Sequence, residues 1–308
     1  RRASTGCWTS AVPALRCLAH SGHEIVAVYT RPDKPTGRGR AMTESPVRRN
    51  AEELGLDVRQ VDSFSHVDDV SALSGLKPDV IIVASFGIIL PQSVLDIPEY
   101  GCINLHPSLL PRYRGPTPVP AAILAGDHIT GTSVMLIERK VDSGPVLAQR
   151  EVPIEDSDTA GSLTDKLSLI SADLLMETLP GWLSRSIVPR QQRHEEATYT
   201  RTISKEDGAL DWRISAVELW RKVRAYHPWP MGYTSWNGKV IRILQSLPDA
   251  GRIDKPGRVL ELGGGSVGVQ TGEGILKLIK VQLEGKKEMT IAEFVRGQRS
   301  FVGSMLQS

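Results

Sequence analysis

Apolar positions in the N-terminal half fall into short runs separated by segments of helical periodicity. "HEIVAVYT" and "PDVIIVASF" read as buried strands and "GCINLH" as a third, with "SPVRRNAEELG" as a helix among them. Such alternation predicts a mostly parallel sheet with helices on both faces, in which ligands sit beyond the carboxyl ends of the strands. The strand-like "GTSVMLIE" and "PVLAQREVPI" precede "DSDTAGSLTDKLSLISADLLMETL", where Leu163, Leu167, Ile170 and Leu174 recur at helical spacing behind Asp158 as a cap.

From Pro189 to Ser204 the apolar period disappears, and the polar "PRQQRHEEATYTRTIS" has the composition of a linker. The expected boundaries are 1–188 for the first domain, 189–204 for the linker and 205–308 for the second domain. The second domain opens on a helix start, with Ser215 and Glu218 as a capping box and Ile214 and Leu219 as a staple. Thr290 and Glu293, flanked by Met289 and Phe294, repeat the device. Between them lie short β-rich runs, "YTSWNGKVIRIL" and "GRVLELGGGSVGVQTGEGILKLIKVQLEG", which predict a small β-barrel of the OB-like type. "GGGSVG" satisfies G-x-G-x-x-G, yet a strand-like run follows it where a dinucleotide site needs a helix, so it reads as a hairpin turn. The fold class expected is therefore a Rossmann-like α/β domain followed by a smaller OB-like one.

Composition, 40% hydrophobic and 23% charged over 308 residues, suits a soluble protein of about two domains. No run approaches the ~18 apolar residues of a membrane helix. Cys7, Cys17 and Cys102 are scattered and form no C-x-x-C pair, which argues against a disulfide framework or a cysteine zinc site and for a reducing compartment. The net charge of +2 is uneven: residues 205–308 hold 16 Lys/Arg against 11 Asp/Glu. A second basic cluster, Arg31, Lys34, Arg38, Arg40, Arg48 and Arg49, surrounds a Gly- and Pro-rich loop. A solvated loop and a binding surface for an acidic partner both fit it.

Asn104 and His106 alternate along the "GCINLH" strand, so both face one side and can serve one substrate atom. No thiol or hydroxyl with a paired base lies beside them. An amide N–H and an imidazole N–H aimed together stabilise an oxyanion developing on a carbonyl. By themselves such residues fit a structural role at least as well. Asp142, in the turn "VDSGP", adds a carboxylate that can hold the imidazole tautomer and accept a proton, which suits group transfer without a covalent intermediate.

"INLHPSLLPRYRG", followed by "AGD" and "VDSGPVLAQ", closely resembles the 10-formyltetrahydrofolate-dependent formyltransferase family, whose signature is Asn-x-His-x-Ser-Leu-Leu-Pro with a later Asp. "RPDKPTGRGR", "ASFGIILP", "DTAGSLTDKL", "TISKEDGALDW", "RAYHPWPMGYT" and "GKKEMTIAEFVRG" narrow the resemblance to the branch that formylates methionine on the initiator tRNA. The resemblance implies that Asn104, His106 and Asp142 are catalytic. It places Phe86, Gly87, Ile88, Ile89, Leu90 and Pro91 on the pterin side of the folate, and Ser108, Leu109, Leu110 and Pro111 in a folate-site turn. It also implies that Lys34, Arg38 and Arg40 enter the tRNA acceptor stem and that the second domain tracks its backbone. The co-substrate implied is 10-formyltetrahydrofolate, with no metal, in a monomer. Tyr226, Trp229 and Trp236 fit a core better than nucleotide stacking.

Two departures from the family pattern stand out. The segment before "AVPAL" is polar where the family has a short central apolar strand, as expected of a truncated or misread start or of a transit remnant. The first origin goes with the bacterial cytoplasm and a transit remnant with an organelle matrix. Lys140 replaces the family's usual Gly ahead of the Asp turn and would strain a loop that needed φ > 0 there. Two other functions stay open: formyl transfer to a small amine (an amino-sugar nucleotide or glycinamide ribonucleotide), and a degenerate paralogue that binds RNA without turnover.

Overall fold

The computed structural model describes residues 9–36, 41–251 and 254–307. The chain divides into two compact units that interleave in sequence. The first comprises residues 1–119, 128–154 and 162–201; the second comprises 120–127, 155–161 and 202–308.

In the first unit α1 (Val12–Ala19) leads to β1 (Val28–Thr30), then to a hairpin of β2 (Lys34–Thr36) and β3 (Ala41–Thr43). Ser45 then caps α2 (Pro46–Glu53): its side chain accepts from the Arg48 N–H, and Pro46 sits where no helical hydrogen bond is lost. After β4 (Val58–Gln60) come α3 (Val67–Gly75), β5 (Ile81–Val83), α4 (Gln92–Leu95) and β6 (Cys102–His106), then α5 (Pro118–Ala125), which from Pro120 on belongs to the second unit. β7 (Ile129–Leu136), β8 (Val146–Pro153) and α6 (Ala160–Leu183) complete the series. β1 pairs with β4 and β5 with β6 in parallel, and β7 and β8 extend the second sheet antiparallel in the order β5-β6-β7-β8. The expected α/β class holds, with parallel pairing in its first strands.

Of the polar segment that precedes "AVPAL", residues 1–8 lie outside the described residues and Thr9–Ala11 form a single 3-10 turn. Among those described, β1 and β5 each have a strand partner on one edge only. Their side chains still share a core, Tyr29 and Ile81 packing around Val61, Phe64, Leu73 and Val94. In the β5–β8 sheet, Ile103 and Leu105 of β6 and Val134 of β7 pack against Leu174, Leu175 and Leu179 of α6. Each fully buried leucine of this kind contributes about 1.5–3 kcal/mol of transfer free energy.

The longest segment of the second unit, residues 202–308, carries α7 (Ala216–Ala225), whose capping box joins Ser215 and Glu218 reciprocally. Its strands, β9 (Gly232–Trp236), β10 (Lys239–Asp249), β11 (Val259–Gly263), β12 (Ser266–Gln270) and β13 (Ile275–Leu283), order as β11-β12-β13-β10-β9, with β14 (Met289–Thr290) beside β13. Helix α8 (Ile291–Gly297) follows, capped by Thr290 and Glu293. The last residues then tie the two edges of the sheet together. Gln307 exchanges backbone hydrogen bonds with Ser235 on β9 (3.0 Å each way), and Gly303, Ser304 and Leu306 bond Val259 and Gly257 at the start of β11. That closure makes a small barrel. Trp236, Phe294 and Phe301 stack edge to face inside it, with centroids 4.9–5.8 Å apart. Tyr226 and Trp236 are buried and Trp229 is half-buried. "GGGSVG" forms the β11–β12 hairpin. Among the described residues no helix is long and apolar enough to cross a membrane.

Candidate active site

The period of two in β6 decides which residues reach the site. Ile103 and Leu105 point into the α6 core, so Asn104 and His106 face the other way. His106 is buried, and its Nε2 lies 2.9 Å from the carbonyl oxygen of Tyr113. A carbonyl only accepts, so Nε2 carries the proton in the neutral ring and Nδ1 keeps its lone pair. Nδ1 points at Asp142, with Oδ2 at 3.7 Å. The Asn104 side-chain amide donates to Oδ1 of the same carboxylate at 3.5 Å. Three side chains from β6 and the β7–β8 connection thus converge, with the Tyr113 carbonyl, rather than Asp142, fixing the imidazole tautomer.

Asp142 is held from the backbone as well. The Gly115 N–H donates to Oδ2 at 2.8 Å. Gly115 has φ +103°, and a Cβ there would lie 2.8 Å from the Thr200 carbonyl, so only glycine permits this approach. Asp142 itself adopts φ +48°, a region that Asp tolerates better than most residues. Lys140 is not among the positive-φ residues and is exposed, its carbonyl accepting from the Ser143 hydroxyl at 2.9 Å. The left-handed turn falls two residues later, so Lys140 causes no backbone strain.

Phe86, Gly87, Ile88, Ile89, Leu90 and Pro91 form the loop after β5, and the parallel register sets Val83 beside Asn104. The loop therefore leaves the same sheet edge as the site. Phe86, Ile88 and Leu90 pack inward while Ile89 is 83% exposed, and Arg31 donates from its guanidinium to the Gly87 carbonyl. In the turn of Ser108 to Pro111, Ser108 and Leu110 are buried and Leu109 and Pro111 half-buried. The Ser108 hydroxyl donates to the Arg112 carbonyl (2.7 Å), and Ser133 and Gln149 hold the Ser108 and Leu110 carbonyls (2.6 and 2.9 Å). These side chains brace the turn from within. Lys34 lies on β2 of the basic hairpin, and Arg38 and Arg40 lie outside the described residues. A depression of about 670 Å³ beside α3, lined by Phe64, Val67, Val70 and Ile97, contains none of Asn104, His106 and Asp142. Among the described residues no group of three or more His, Cys, Asp or Glu side chains could hold a metal ion. Burial pushes the Cys102 thiol up to about 12, so it is no nucleophile at neutral pH.

Residues 189–201, polar throughout in sequence, run alongside residues 111–117. Thr198 accepts through its hydroxyl from the Tyr113 N–H (2.8 Å) and through its carbonyl from the Arg114 N–H (2.9 Å). Thr200 accepts from the Thr117 N–H (3.1 Å). Gln192 and Arg114 are buried here. Nothing in the local sequence marks them, because their partners, the Asp142 and Gly144 carbonyls and the His194 and Tyr199 side chains, lie 48–85 positions away; the Thr-Tyr-Thr alternation is the one local hint of extended chain.

An amide, an imidazole and a carboxylate gather at the carboxyl edge of a partly parallel sheet, an arrangement suited to group transfer at a carbonyl carbon in an α/β protein. Residues 4–179 match the formyl transferase family model and residues 202–299 that of the formyl transferase C-terminal domain, so the chain belongs to the formyl transferase family. It is 45% identical over 294 residues to the methionyl-tRNA formyltransferase of Dehalococcoides mccartyi, covering 95% of this chain and 94% of that protein. The methionyl-tRNA formyltransferase of Chloroflexus aurantiacus is likewise 45% identical, with 93% of each covered. In fold, the chain is similar to an N-formyltransferase of Helicobacter canadensis solved with folinic acid and dTDP-3-aminofucose. The TM-score is 0.65 at 16% identity, over 91% of this chain and 96% of that one.

Proposed function

We propose that this chain transfers the formyl group of 10-formyltetrahydrofolate to the α-amino group of methionine on the initiator tRNA, in the bacterial cytoplasm. The observation that carries the reading is the convergence of Asn104 and His106 on the Asp142 carboxylate, at 3.5 and 3.7 Å. Identity of 45% over nearly the whole length of named methionyl-tRNA formyltransferases supports the choice of substrate.

The residues divide the work as follows. A free α-amino group has a pKa of about 8, so a useful fraction is neutral near pH 7 and attacks the formyl carbon. As the new C–N bond forms, the carbonyl electrons move to oxygen, and the Asn104 amide N–H stabilises that oxyanion. The amine proton passes to the Asp142 carboxylate or the His106 Nδ1 lone pair. Imidazolium formed at His106 gives a second donor toward the oxyanion, its Nε2–H still held by the Tyr113 carbonyl. Collapse breaks the bond to N10, which takes a proton from this pair and leaves as tetrahydrofolate. No charge or proton is left over.

The test is transfer of labelled formyl from 10-formyltetrahydrofolate to methionyl-tRNA, set against transfer to amino-sugar nucleotides and glycinamide ribonucleotide. Preferred labelling of the tRNA is expected. Labelling only of a small amine would overturn the substrate, and folate binding without transfer to any acceptor would overturn the enzyme.

A further inference from the structure

The Asp142 turn is pinned by a buried pair that takes no part in the reaction above. Gln192 is 7% exposed, and its amide nitrogen donates to the Asp142 carbonyl at 3.0 Å and to the Gly144 carbonyl at 2.7 Å. Two residues apart, those carbonyls bracket the turn that carries the carboxylate. The Gln192 amide has no freedom to rotate. Its oxygen accepts from Nε and Nη2 of Arg114 at 3.1 and 2.7 Å, and a guanidinium only donates, so the nitrogen end must face the two carbonyls. Arg114, 1% exposed, is itself fixed by the Tyr199 hydroxyl and by Nδ1 of His194, both at 3.0 Å. Its neighbours complete the connection: the Tyr113 carbonyl holds His106, and the Gly115 N–H holds Asp142.

We infer that Gln192, oriented by Arg114, is a positioning residue for Asp142: it sets the backbone from which the carboxylate meets His106 and Asn104. This rests on the role given to Asp142 under the proposed function. Rate depends steeply on such placement, a shift of about 1 Å costing roughly 10²-fold.

Three variants of the full chain test it. Gln192→Met keeps the side-chain length and removes every polar partner. Gln192→Glu keeps the shape and offers Arg114 a carboxylate, yet turns an oxygen against the Asp142 and Gly144 carbonyls. Asp142→Asn is the reference. A positioning role predicts that both Gln192 variants lose about 10-fold or more in kcat, with KM for folate and for methionyl-tRNA unchanged. The Glu variant should melt at or above the Met variant. Added to Asp142→Asn, Gln192→Met should cause little further loss, because the group it positions is already gone. Wild-type kcat in the Glu variant would show that Gln192 serves only to partner Arg114, and so would overturn the inference. So would a fully additive loss in the double variant, or failure of both Gln192 variants to fold. Wild-type turnover in Asp142→Asn is a separate outcome: it would remove the assignment of Asp142 on which the inference stands.

Discussion

His106 presents Nδ1 to Asp142 because the Tyr113 carbonyl holds Nε2 at 2.9 Å, so the two ring nitrogens have different duties. Replacing His106 or Asn104 by Ala is expected to lower kcat by about 10²- to 10³-fold, the usual effect of losing one oxyanion donor, while folate affinity is kept. Single-turnover rates and folate fluorescence titration measure the two separately, and equal losses in both would argue for a binding role. The spacing of Asn104 and His106 was legible because a strand has a strict period of two. The Tyr113 carbonyl was not legible, since a backbone acceptor leaves no mark on residue type. Nor was the environment of His227, whose buried Nδ1 finds no partner among the described residues and whose pKa burial lowers, with Glu288 raising it and Lys280 lowering it further. Around and below its ordinary value of 6.5 the unfolded chain therefore binds more protons than the folded one. Stability should fall as pH drops through that value until the folded ring also protonates. His227→Gln should flatten this part of the curve in urea melts between pH 5 and 7.

Elements were legible where a local rule sets them. The capping boxes at Ser215 and Thr290 follow from four-residue patterns and form as reciprocal hydrogen bonds. Ser215→Ala should destabilise the second unit by about 1 kcal/mol, read from the urea midpoint at constant m. The closure of the barrel was not legible. "GSMLQS" has no strand alternation, and residues 305–307 become extended only because the edges of β9 and β11 offer unpaired backbone groups. Leu306 is the apolar anchor of that segment, 5% exposed in the core with Trp212 and Phe301. Leu306→Ala should therefore cost about 2–5 kcal/mol, several times the loss of a cap; a change below 1 kcal/mol would mean that the segment merely lies on a barrel stable without it. The polar run at 189–204 has the composition of a linker, and residues up to Arg201 group with the first unit, where Gln192 bonds the Gly144 carbonyl and Arg114 and Thr198 bonds the Tyr113 N–H.

At the scale of the whole molecule, charge was the property best read from sequence and least tied to fold. The excess of 16 Lys/Arg over 11 Asp/Glu in residues 205–308 and the basic run around Lys34 both suit a polyanion, whereas a small amine needs neither. The interleaving of the two units could not be read, since residues 120–127 and 155–161 carry no compositional boundary and join the second unit through tertiary hydrogen bonds such as those from Arg224 to the Glu155 and Asp158 carbonyls. The charge reading is tested by salt. Changing Arg38 and Arg40 together to Ala should weaken use of methionyl-tRNA and leave the KM for folate unchanged. On a plot of log(kcat/KM) against log[salt], the slope for methionyl-tRNA should become shallower by about 0.7–0.9 for each phosphate no longer neutralised, the lower value applying to single strands. A weaker enzyme with an unchanged slope would place these arginines in a role other than phosphate binding. Unchanged tRNA kinetics together with an unchanged slope would show that the basic hairpin is solvated and leave the second unit's surplus charge as the remaining source of tRNA affinity.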